Sequence, residues 1–513
     1  MYPLPISSSL IHEAHSDCVS DMEELLYLSH DAKNRLSRFT RDINKAKKHI
    51  APATYAEAKE TARKYIEACN HAVQKIQSCQ RALSHSSPSL LLITKSDEIK
   101  RSTYEFLRTH QALFGALITS TDWQSPSYSH SISSQAGRET HTIYATINDY
   151  KRDQHWDAYR LERTFVKENV DSPVKFPIQA LATSSGMAAF ATILNFLILE
   201  HKATRPVLMG KASWFQNRLL IKPAFGDNII ELDETDTDGI ITAIKAHSPS
   251  IIFIDSLTNS PEVAIPNLPH IIEYLIKNSK RETYLVIDNT GLSVVFQPFK
   301  MLFGKRSKVR CIVFESLNKY HQFGLDRVTG GMITSYGGDT AKIFDYRVHS
   351  GTNIPDSSAA SIPTPNRRIL ISRLKRHQKN TRILAQGLND WIDAHPSALF
   401  AKIVFPGLPG HPSYPWSNRL PFTGCYFAVQ FKKPYQTIKT YKRFVATVME
   451  SSAKHHINMV AGSTFGLNQT RIYLTALRSK PSTPFVRIAV GTEHRIAIEA
   501  LKELFINIFC TFR

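Results

Sequence analysis

From about residue 150 onward, short apolar runs alternate with helical stretches, and this alternation restricts the folds open to the chain. The runs are rich in Val, Ile and Phe and are bounded by Gly, Asn, Asp or Pro, which is typical of buried parallel strands. Strand and helix in alternation predict an α/β domain. The runs are Pro206–Met209, Ile251–Ile254, Tyr284–Ile287 and Cys311–Phe314.

The first 121 residues have a different pattern, which predicts an N-terminal helical module. Apolar residues recur every three or four positions over residues 20–50, 54–79 and 97–118, so we expect three helices. Ser20 with Glu23, and Thr54 with Glu57, form capping-box patterns that predict where the first two helices begin. No motif here carries chemistry. The module is either a partner-binding or oligomer-covering element or a structural appendage.

Changes in composition and apolar periodicity along the chain predict four segments. The helical module (residues 1–121) is followed by a linker or arm (122–149) rich in Ser, Tyr, His and Gln. A large α/β domain (150–365) comes next. A smaller α+β domain (366–513) begins with a long basic helix from Asn366 to Ile392.

The charge of the chain argues against a nucleic-acid partner. The formal net charge is +19, but residues 1–140 carry 17 basic and 15 acidic side chains, so most of the excess lies in the folded remainder. A basic tail of the kind that binds nucleic acid is therefore not indicated. The excess fits an anionic small-molecule ligand, or merely a basic surface.

Cysteine spacing and hydropathy restrict the class further. None of the six cysteines lies in a C-x-x-C pair, so neither a zinc site nor a redox motif is indicated, and buried free thiols are expected. No apolar run approaches the ~18 residues that a membrane-spanning helix needs. The N-terminus lacks the basic start and apolar stretch of a secretory signal. We therefore expect a cytoplasmic protein without a membrane partner and without a metal site.

The lysine with the most suggestive surroundings is Lys319, which closely follows the run Cys311–Phe314. A lysine amine fixed on a rigid element beside a cleft can form a covalent bond with a carbonyl group. A lone lysine is usually an ordinary surface residue. Here the downstream Gly324, Asp326 and Gly330-Gly331 favour a functional role.

Two further motifs are suited to ligand binding. The small polar turn at residues 183–186 precedes an Ala-rich stretch, so it predicts a helix N-terminus whose N–H groups could bind a phosphate. Asp288 ends the run Tyr284–Ile287, at the strand end where α/β sheets bind ligands. In isolation an ordinary helix cap and an ordinary strand-end cap would look the same.

Taken in order, these motifs resemble those of the Cys/Met-metabolism family of pyridoxal-phosphate (PLP) enzymes, which includes cystathionine γ-synthase, cystathionine lyases and methionine γ-lyase. The resemblance covers about residues 140–510 and leaves the helical module outside. Each motif is weak alone, but this many in family order are hard to obtain by chance. The further matching segments are Tyr150–Arg152, Asp255 with Asn259 and Pro261, Arg373 with His377 and Asn380, Phe405–Pro412, and Val486–Glu493.

The resemblance implies the type I fold of PLP-dependent transferases and assigns the central roles. Lys319 would carry pyridoxal 5'-phosphate as a Schiff base and shuttle protons. Asp288 would pair with the pyridinium nitrogen. Arg487 would grip the substrate carboxylate with its planar fork, beside Thr464. The other implied cofactor contacts are Tyr150 and Arg152 from a neighbouring subunit, the N–H groups of Gly186 and Met187, Ser316, Asn318 and Asn259.

The chain departs from the family pattern in three places. Where the family usually has Tyr-Gly-x-Thr, residues 211–217 offer Trp214, with Phe215 as the second choice, to stack on the cofactor. Neither has a phenol, so a leaving group that the family's tyrosine protonates would need another acid. Asn318 replaces a usual Thr, which would put an amide in place of a phosphate-binding hydroxyl. The segment between Thr464 and Arg487 is short, and this affects substrate choice more than cofactor binding.

The expected function is elimination or replacement at the β or γ carbon of a sulfur-containing or O-activated amino acid. The fold also hosts transamination and decarboxylation, so the reaction type rests on the resemblance. The resemblance also implies a homodimer or homotetramer with shared sites, because in the family an arm that corresponds to Tyr150 and Arg152 completes the site of the neighbouring subunit. The alternative is a non-catalytic binding or assembly scaffold, an interpretation that the departure near Trp214 favours.

Overall fold

Three long helices form the N-terminal part of the protein. The structure is a computed structural model that describes residues 6–121, 151–171, 177–477 and 483–512. The helices are α1 (Ser8–Lys45), α2 (Pro52–His85) and α3 (Leu90–Thr121). The three predicted helices are therefore present, although each begins earlier than the sequence pattern indicated.

The capping-box prediction for the first helix is wrong. Ser7 caps α1, and its hydroxyl accepts a hydrogen bond from Leu10 N at 3.3 Å. Ser20 instead lies inside the helix and donates to the Ser16 carbonyl. Helix α2 begins at Pro52, two residues before Thr54, since proline at the first helical position has no N–H to leave unpaired. In α1, apolar periodicity continues upstream of the capping pattern through the buried Ala14 and Cys18.

The helical module is continuous with the rest of the hydrophobic core. Helix α3 packs against a short helix of the large domain, and α1 packs against the last helix of the chain. Leu25 and Leu36 of α1 belong to the same core cluster as Leu285 and Phe323 of the large domain. The module therefore buries its apolar face against the other two parts.

A seven-stranded mixed sheet lies at the centre of the large domain, in the order β1-β7-β6-β5-β4-β2-β3. Strands β2 to β6 are parallel to one another, and β7 is antiparallel to both β1 and β6. The prediction of buried parallel strands is confirmed at all four runs. The strands are β1 (Ile178–Thr183), β2 (Val207–Gly210), β3 (Ile229–Leu232), β4 (Ile251–Asp255), β5 (Thr283–Asp288), β6 (Val309–Ser316) and β7 (Gly331–Tyr336).

Helices connect the consecutive strands from β1 to β6, as the alternating pattern predicts. Among the described residues, none of the helices is long and apolar enough to cross a membrane. The helices of this part are α4 (Trp156–Asn169), α5 (Gly186–Leu199), α6 (Phe215–Phe225), α7 (Thr237–His247), α8 (Leu268–Asn278), α9 (Pro298–Leu302), α10 (Gly337–His349) and α11 (Asp356–Ser361).

The C-terminal part is a five-stranded sheet with helices, and it begins with the long predicted helix. The strand order is β10-β11-β12-β9-β8, and all pairs are antiparallel except β10 with β11. The helices are α12 (Arg367–Ala394), α13 (Tyr414–Ser417), α14 (Ile438–Lys454) and α15 (Arg495–Thr511). The strands are β8 (Phe400–Val404), β9 (Tyr426–Phe431), β10 (Val460–Ala461), β11 (Arg471–Thr475) and β12 (Phe485–Ala489).

A buried arginine ties α10 to α4 and to the sheet. Arg347 has a fully buried side chain, and its Nη1 lies 2.6 Å from Glu162 Oε1 and 3.0 Å from the Ala182 carbonyl. Glu162 Oε1 also accepts from Ala182 N at 2.8 Å. Arg347 Nη2 also donates to the Asp153 carbonyl at 3.3 Å and to Gln154 Oε1 at 3.1 Å. Removing one partner of this buried pair leaves the other charge uncompensated.

We expect Arg347→Ala to lower the free energy of unfolding by about 3–5 kcal/mol, because Glu162 would remain buried without its cation. Arg310 is the matched control, since its ion pair with Glu282 is about half exposed on both sides. Arg310→Ala should cost no more than about 1 kcal/mol. Chemical denaturation followed by circular dichroism measures both values. Equal losses for the two variants would contradict the assignment.

Candidate active site

A cavity of about 220 Å³ lies at the carboxyl edge of the parallel strands and is closed by residues of the C-terminal part. Asp255 at the end of β4 pairs in register with Asp288 at the end of β5, which in turn pairs with Phe314 of β6. Parallel register therefore brings these strand ends to one edge. The C-terminal part contributes Tyr426, Ser463, Phe465 and Arg487 to the wall.

Lys319 is the amine of this cavity. Its Nζ donates a hydrogen bond to Thr464 Oγ1 at 3.0 Å and lies 5.1 Å from the centre of the Phe465 ring. Burial, and then the positive charge of Arg487, lower the pKa of Lys319 to about 8. A lysine in this state loses its proton far more readily than an exposed one, so a neutral, nucleophilic amine is accessible near neutral pH.

Asp288 is the carboxylate that faces the cavity from β5. Its Oδ1 accepts from Thr290 N at 3.0 Å, and Asn217 Nδ2 lies 3.5 Å from Oδ2. Burial raises the pKa of the Asp288 carboxyl, although the Thr290 hydrogen bonds lower it. A cationic group next to this carboxyl would stabilise its charged form.

The N-terminus of α5 forms another wall of the cavity. Ser185 caps the helix and accepts from Ala188 N at 3.0 Å, so the N–H groups of Gly186 and Met187 are the first of the helix, where no intrahelical carbonyl is available. A Cβ added to Gly186 would approach Ser316 Cβ to 2.8 Å. The helix end and the end of β6 are thus in close contact, in an arrangement suited to an anion.

Arg487 enters the cavity from β12 of the small sheet. Its Nη1 donates to Asn259 Oδ1 at 2.7 Å, and its Nη2 donates to the Ser463 carbonyl. The guanidinium carbon lies 5.4 Å from the Tyr426 ring centre and 5.5 Å from that of Phe465. Packing between two rings and two hydrogen bonds holds the planar group in one orientation.

Two buried carboxyls support the turn that carries Trp214. Asp255 Oδ2 accepts from Trp214 N at 2.8 Å, and both oxygens of Glu234 lie 3.0 Å from Ala212 N. Burial, and then the charges of Asp288 and Glu234, raise the pKa of Asp255. Burial raises the pKa of Glu234 to about 7. The Trp214 indole itself donates to Gln216 Oε1 at 3.1 Å.

The structure brings most of the residues selected from the sequence to this one cavity. Thr464 touches it through Lys319. Asn318 points elsewhere: its Oδ1 accepts from Gly330 N at 3.0 Å. Arg152 pairs with Asp153 and is about half exposed outside the cavity, and Tyr150 lies outside the described residues. The selected residues that line the cavity are Gly186, Met187, Trp214, Asn259, Asp288, Ser316, Lys319 and Arg487.

Sequence reasoning missed several residues of the wall. Tyr426 and Phe465 contact Arg487 from different segments, and Asn217 contacts Asp288 from α6. Aromatic residues in strands or loops are most often simple core residues, so their identity alone gave no signal. Asn217 lies three positions after Trp214, in the first turn of α6. This spacing was the only feature of the sequence that could have indicated its place beside the cavity.

Comparison with known proteins gives the chain a family. The family model described as "Cys/Met metabolism PLP-dependent enzyme" matches residues 111–500. The chain belongs to this family. Its cofactor is therefore PLP, and the resemblance seen in the motifs is confirmed.

Individual relatives are distant. "Bifunctional enzyme flvA" of Aspergillus flavus is 22% identical over 318 residues, which are 61% of this chain and 37% of flvA. Cystathionine gamma-lyase of Sus scrofa is 27% identical over 262 residues, 49% of this chain and 58% of the lyase. The chain thus spans less than two thirds of the length of each of these two relatives.

Solved structures confirm the predicted type I fold. Cystathionine gamma synthase from Xanthomonas oryzae pv. oryzae, in complex with cystathionine, superposes with a TM-score of 0.56 at 19% identity. The superposition covers 71% of this chain and 89% of the synthase. At this identity the likeness establishes the fold alone.

The donor set of the cavity fits PLP. A phosphate suits the N-terminus of α5 with Gly186 and the Ser316 hydroxyl, and the close contact between those two residues leaves no room for a side chain there. A pyridinium nitrogen suits the buried Asp288, and an aldehyde suits the Lys319 amine. Anion site, carboxylate and amine face one cavity, as a cofactor with these three groups requires.

The lowered pKa of Lys319 predicts how its reactivity depends on pH. In cofactor-free protein, we expect the rate of acylation at Lys319 to rise as the pH passes through about 8, because only the neutral amine reacts. Arg487→Met should move the midpoint to higher pH, since it removes a neighbouring positive charge. Pulse labelling followed by peptide mass analysis measures the midpoint. A midpoint in the native protein at or above that of an exposed lysine would show that burial and Arg487 do not lower this pKa.

Proposed function

We propose that the protein catalyses elimination or replacement at the β or γ carbon of a sulfur-containing or O-activated amino acid, with PLP as cofactor. The observation that carries this proposal is the convergence of Lys319, Asp288 and Arg487 on one cavity from two parts of the chain. An amine, a carboxylate for a ring nitrogen and a rigid guanidinium for a carboxylate are what an α-amino acid and PLP require together. Bound PLP withdraws electrons from the α carbon of the substrate.

Arg487 orients the substrate. Its fork lies at the wall of the cavity, so a substrate carboxylate would compete for the Nη groups that now donate to Asn259 and Ser463. A bidentate contact of this kind fixes both the position and the rotation of the α carbon relative to Lys319. The aromatic rings of Tyr426 and Phe465 keep water from the other faces of the guanidinium.

Lys319 moves the protons. With its pKa lowered to about 8, its amine can accept the α proton and return a proton to the substrate at neutral pH. Thr464 Oγ1 accepts from Nζ, so it directs the amine within the cavity. Tyr426 is less suited to act as an acid, because its hydroxyl donates to the Thr258 carbonyl at 3.1 Å. Lys319 is therefore our choice for protonation of the leaving group as well.

Assembly with shared sites is part of the proposal. Arg152 lies outside the cavity and is about half exposed. Its guanidinium could approach the phosphate of the PLP bound by a second copy of the chain. Its ion pair with Asp153 would then be exchanged for contact with a dianion, which is the stronger partner for an arginine fork.

The decisive variant is Lys319→Ala. We expect turnover to fall by at least ~10²–10⁴-fold, because the proton acceptor is lost, while thermal stability changes little since no large apolar group is removed. Lys308→Ala is the matched control, as Lys308 is exposed just before the opposite end of the same strand. Turnover is measured on a panel of amino acids as keto acid, thiol and new amino acid.

Borohydride reduction of the PLP-loaded protein tests the site directly. The pyridoxyl label should appear on the peptide that contains Lys319 in the native and Lys308→Ala proteins and should be lost in Lys319→Ala. A label on another lysine would overturn the assignment. Native protein that binds PLP but converts no amino acid in the panel would favour the scaffold interpretation.

Arg487→Lys tests the carboxylate site. The change keeps the charge but loses the two-pronged geometry, so we expect a KM about 10-fold higher or more, with the absorbance of bound PLP unchanged. Arg471→Lys is the control, because Arg471 lies on the neighbouring strand β11 and does not line the cavity. An unaltered KM in Arg487→Lys would place the carboxylate site elsewhere.

A further inference from the structure

The N-terminal helical module places a carboxylate at the boundary between the other two parts of the protein. Glu24 of α1 accepts from Arg373 Nη1 at 2.7 Å and from the Tyr104 hydroxyl of α3, both through Oε1. The Arg373 side chain is fully buried, and Glu24 is 14% exposed. Burial alone would lower the pKa of Arg373, but the neighbouring Glu24 and Tyr104 raise it above its ordinary value. The ion pair is therefore intact and largely shielded from water.

The other arm of the Arg373 guanidinium holds a loop of the C-terminal part, residues 463–470. Its Nη2 donates to the Gly466 carbonyl at 3.0 Å and to Asn468 Oδ1 at 2.7 Å. Gly466 has φ +80, and a Cβ there would lie 2.8 Å from the Tyr320 ring and 3.1 Å from the carbonyl carbon of Lys319. The loop thus lies directly against the backbone of the lysine.

Three consecutive residues of this 463–470 loop contact the cations of the cavity. The Ser463 carbonyl accepts from Arg487, and Thr464 Oγ1 accepts from Lys319. The Phe465 ring lies within 5.5 Å of both cationic groups. A shift of the loop by about an ångström would therefore disturb the amine and the guanidinium at once.

The module also contacts the segment that follows the lysine. Arg108 Nη2 of α3 donates to the Gly324 carbonyl at 3.0 Å, and the ring of Tyr27 on α1 meets that of Phe323 edge-on at 5.7 Å. A Cβ on Gly324 would come within 2.2 Å of Asn468 Oδ1. The lysine segment and the 463–470 loop are thus packed together, with helices of the module on their outer side.

We propose that Glu24 is a positioning residue of the active site, which acts through Arg373 to hold the 463–470 loop against Lys319 and Arg487. Glu24, Tyr104 and Arg108 precede the matched family range of residues 111–500, so this support comes from outside that range. The effect on substrate rests on the proposed function. The effect on the loop does not depend on it.

The test compares Glu24→Gln with Glu23→Gln in the full-length, PLP-loaded protein. Glu23 is the preceding residue and is exposed on the same helix, so its change has the same chemistry without the contact. We expect hydrogen exchange of the 463–470 loop, followed by mass spectrometry, to be about 10-fold faster in Glu24→Gln and unchanged in Glu23→Gln. Exchange in β5 should be unchanged in both, which reports an intact fold. The KM for the amino acid should rise about fivefold in Glu24→Gln alone.

Each outcome decides the proposal. Unchanged loop exchange in Glu24→Gln overturns it, and so does faster exchange with unaltered KM and kcat. If the native protein turns over no amino acid, the proposed function fails, and the exchange measurement alone decides whether Glu24 holds the loop. If Glu24→Gln does not fold, Tyr104→Phe replaces it. That variant removes one donor to Glu24, and it should speed loop exchange in the same direction by a smaller factor.

Discussion

The site depends on ionisable groups of both signs that are buried around one cavity. Asp255 and Asp288 lie side by side at neighbouring strand ends, and the opposing cations, Lys319 and Arg487, come from different parts of the chain. Burial raises the pKa of both carboxyls and lowers the pKa of both cations, so the charged form of each group is disfavoured unless an opposite charge lies near it. The docking of the C-terminal part on the parallel sheet brings the Arg487 cation to the edge that carries the two carboxyls.

Much of this arrangement could be predicted from local sequence. The buried runs identified the strands, and Asp288 and Lys319 were recognisable because each lies at or just beyond a strand end. Contacts between distant segments could not be predicted: nothing near Phe465 indicates that its ring lies beside both cations. Side-chain direction was equally hidden, since Asn318 is adjacent to the lysine but bonds to Gly330.

The first helix illustrates a competition between signals. Ser20 and Glu23 satisfy a capping pattern, but an apolar stripe that includes Ala14 and Cys18 continues on the N-terminal side and is buried against other helices. A hydrogen bond at a cap contributes about 1 kcal/mol, whereas burial of several side chains contributes more, so the helix extends to Ser8. The same extension places Asp17 beside Arg376 and Lys379 of the C-terminal part.

Residues of the large sheet and of the C-terminal part both line the cavity. This has a consequence for the folding of the newly made protein. The amine belongs to one side and its hydroxyl partner Thr464 to the other, so a complete pocket exists only after the two sides have met. A small molecule that binds the finished pocket and not the open chain stabilises the docked state in proportion to the logarithm of its concentration. The concentration of PLP would then affect how much of the newly made protein is folded and so protected from proteolysis.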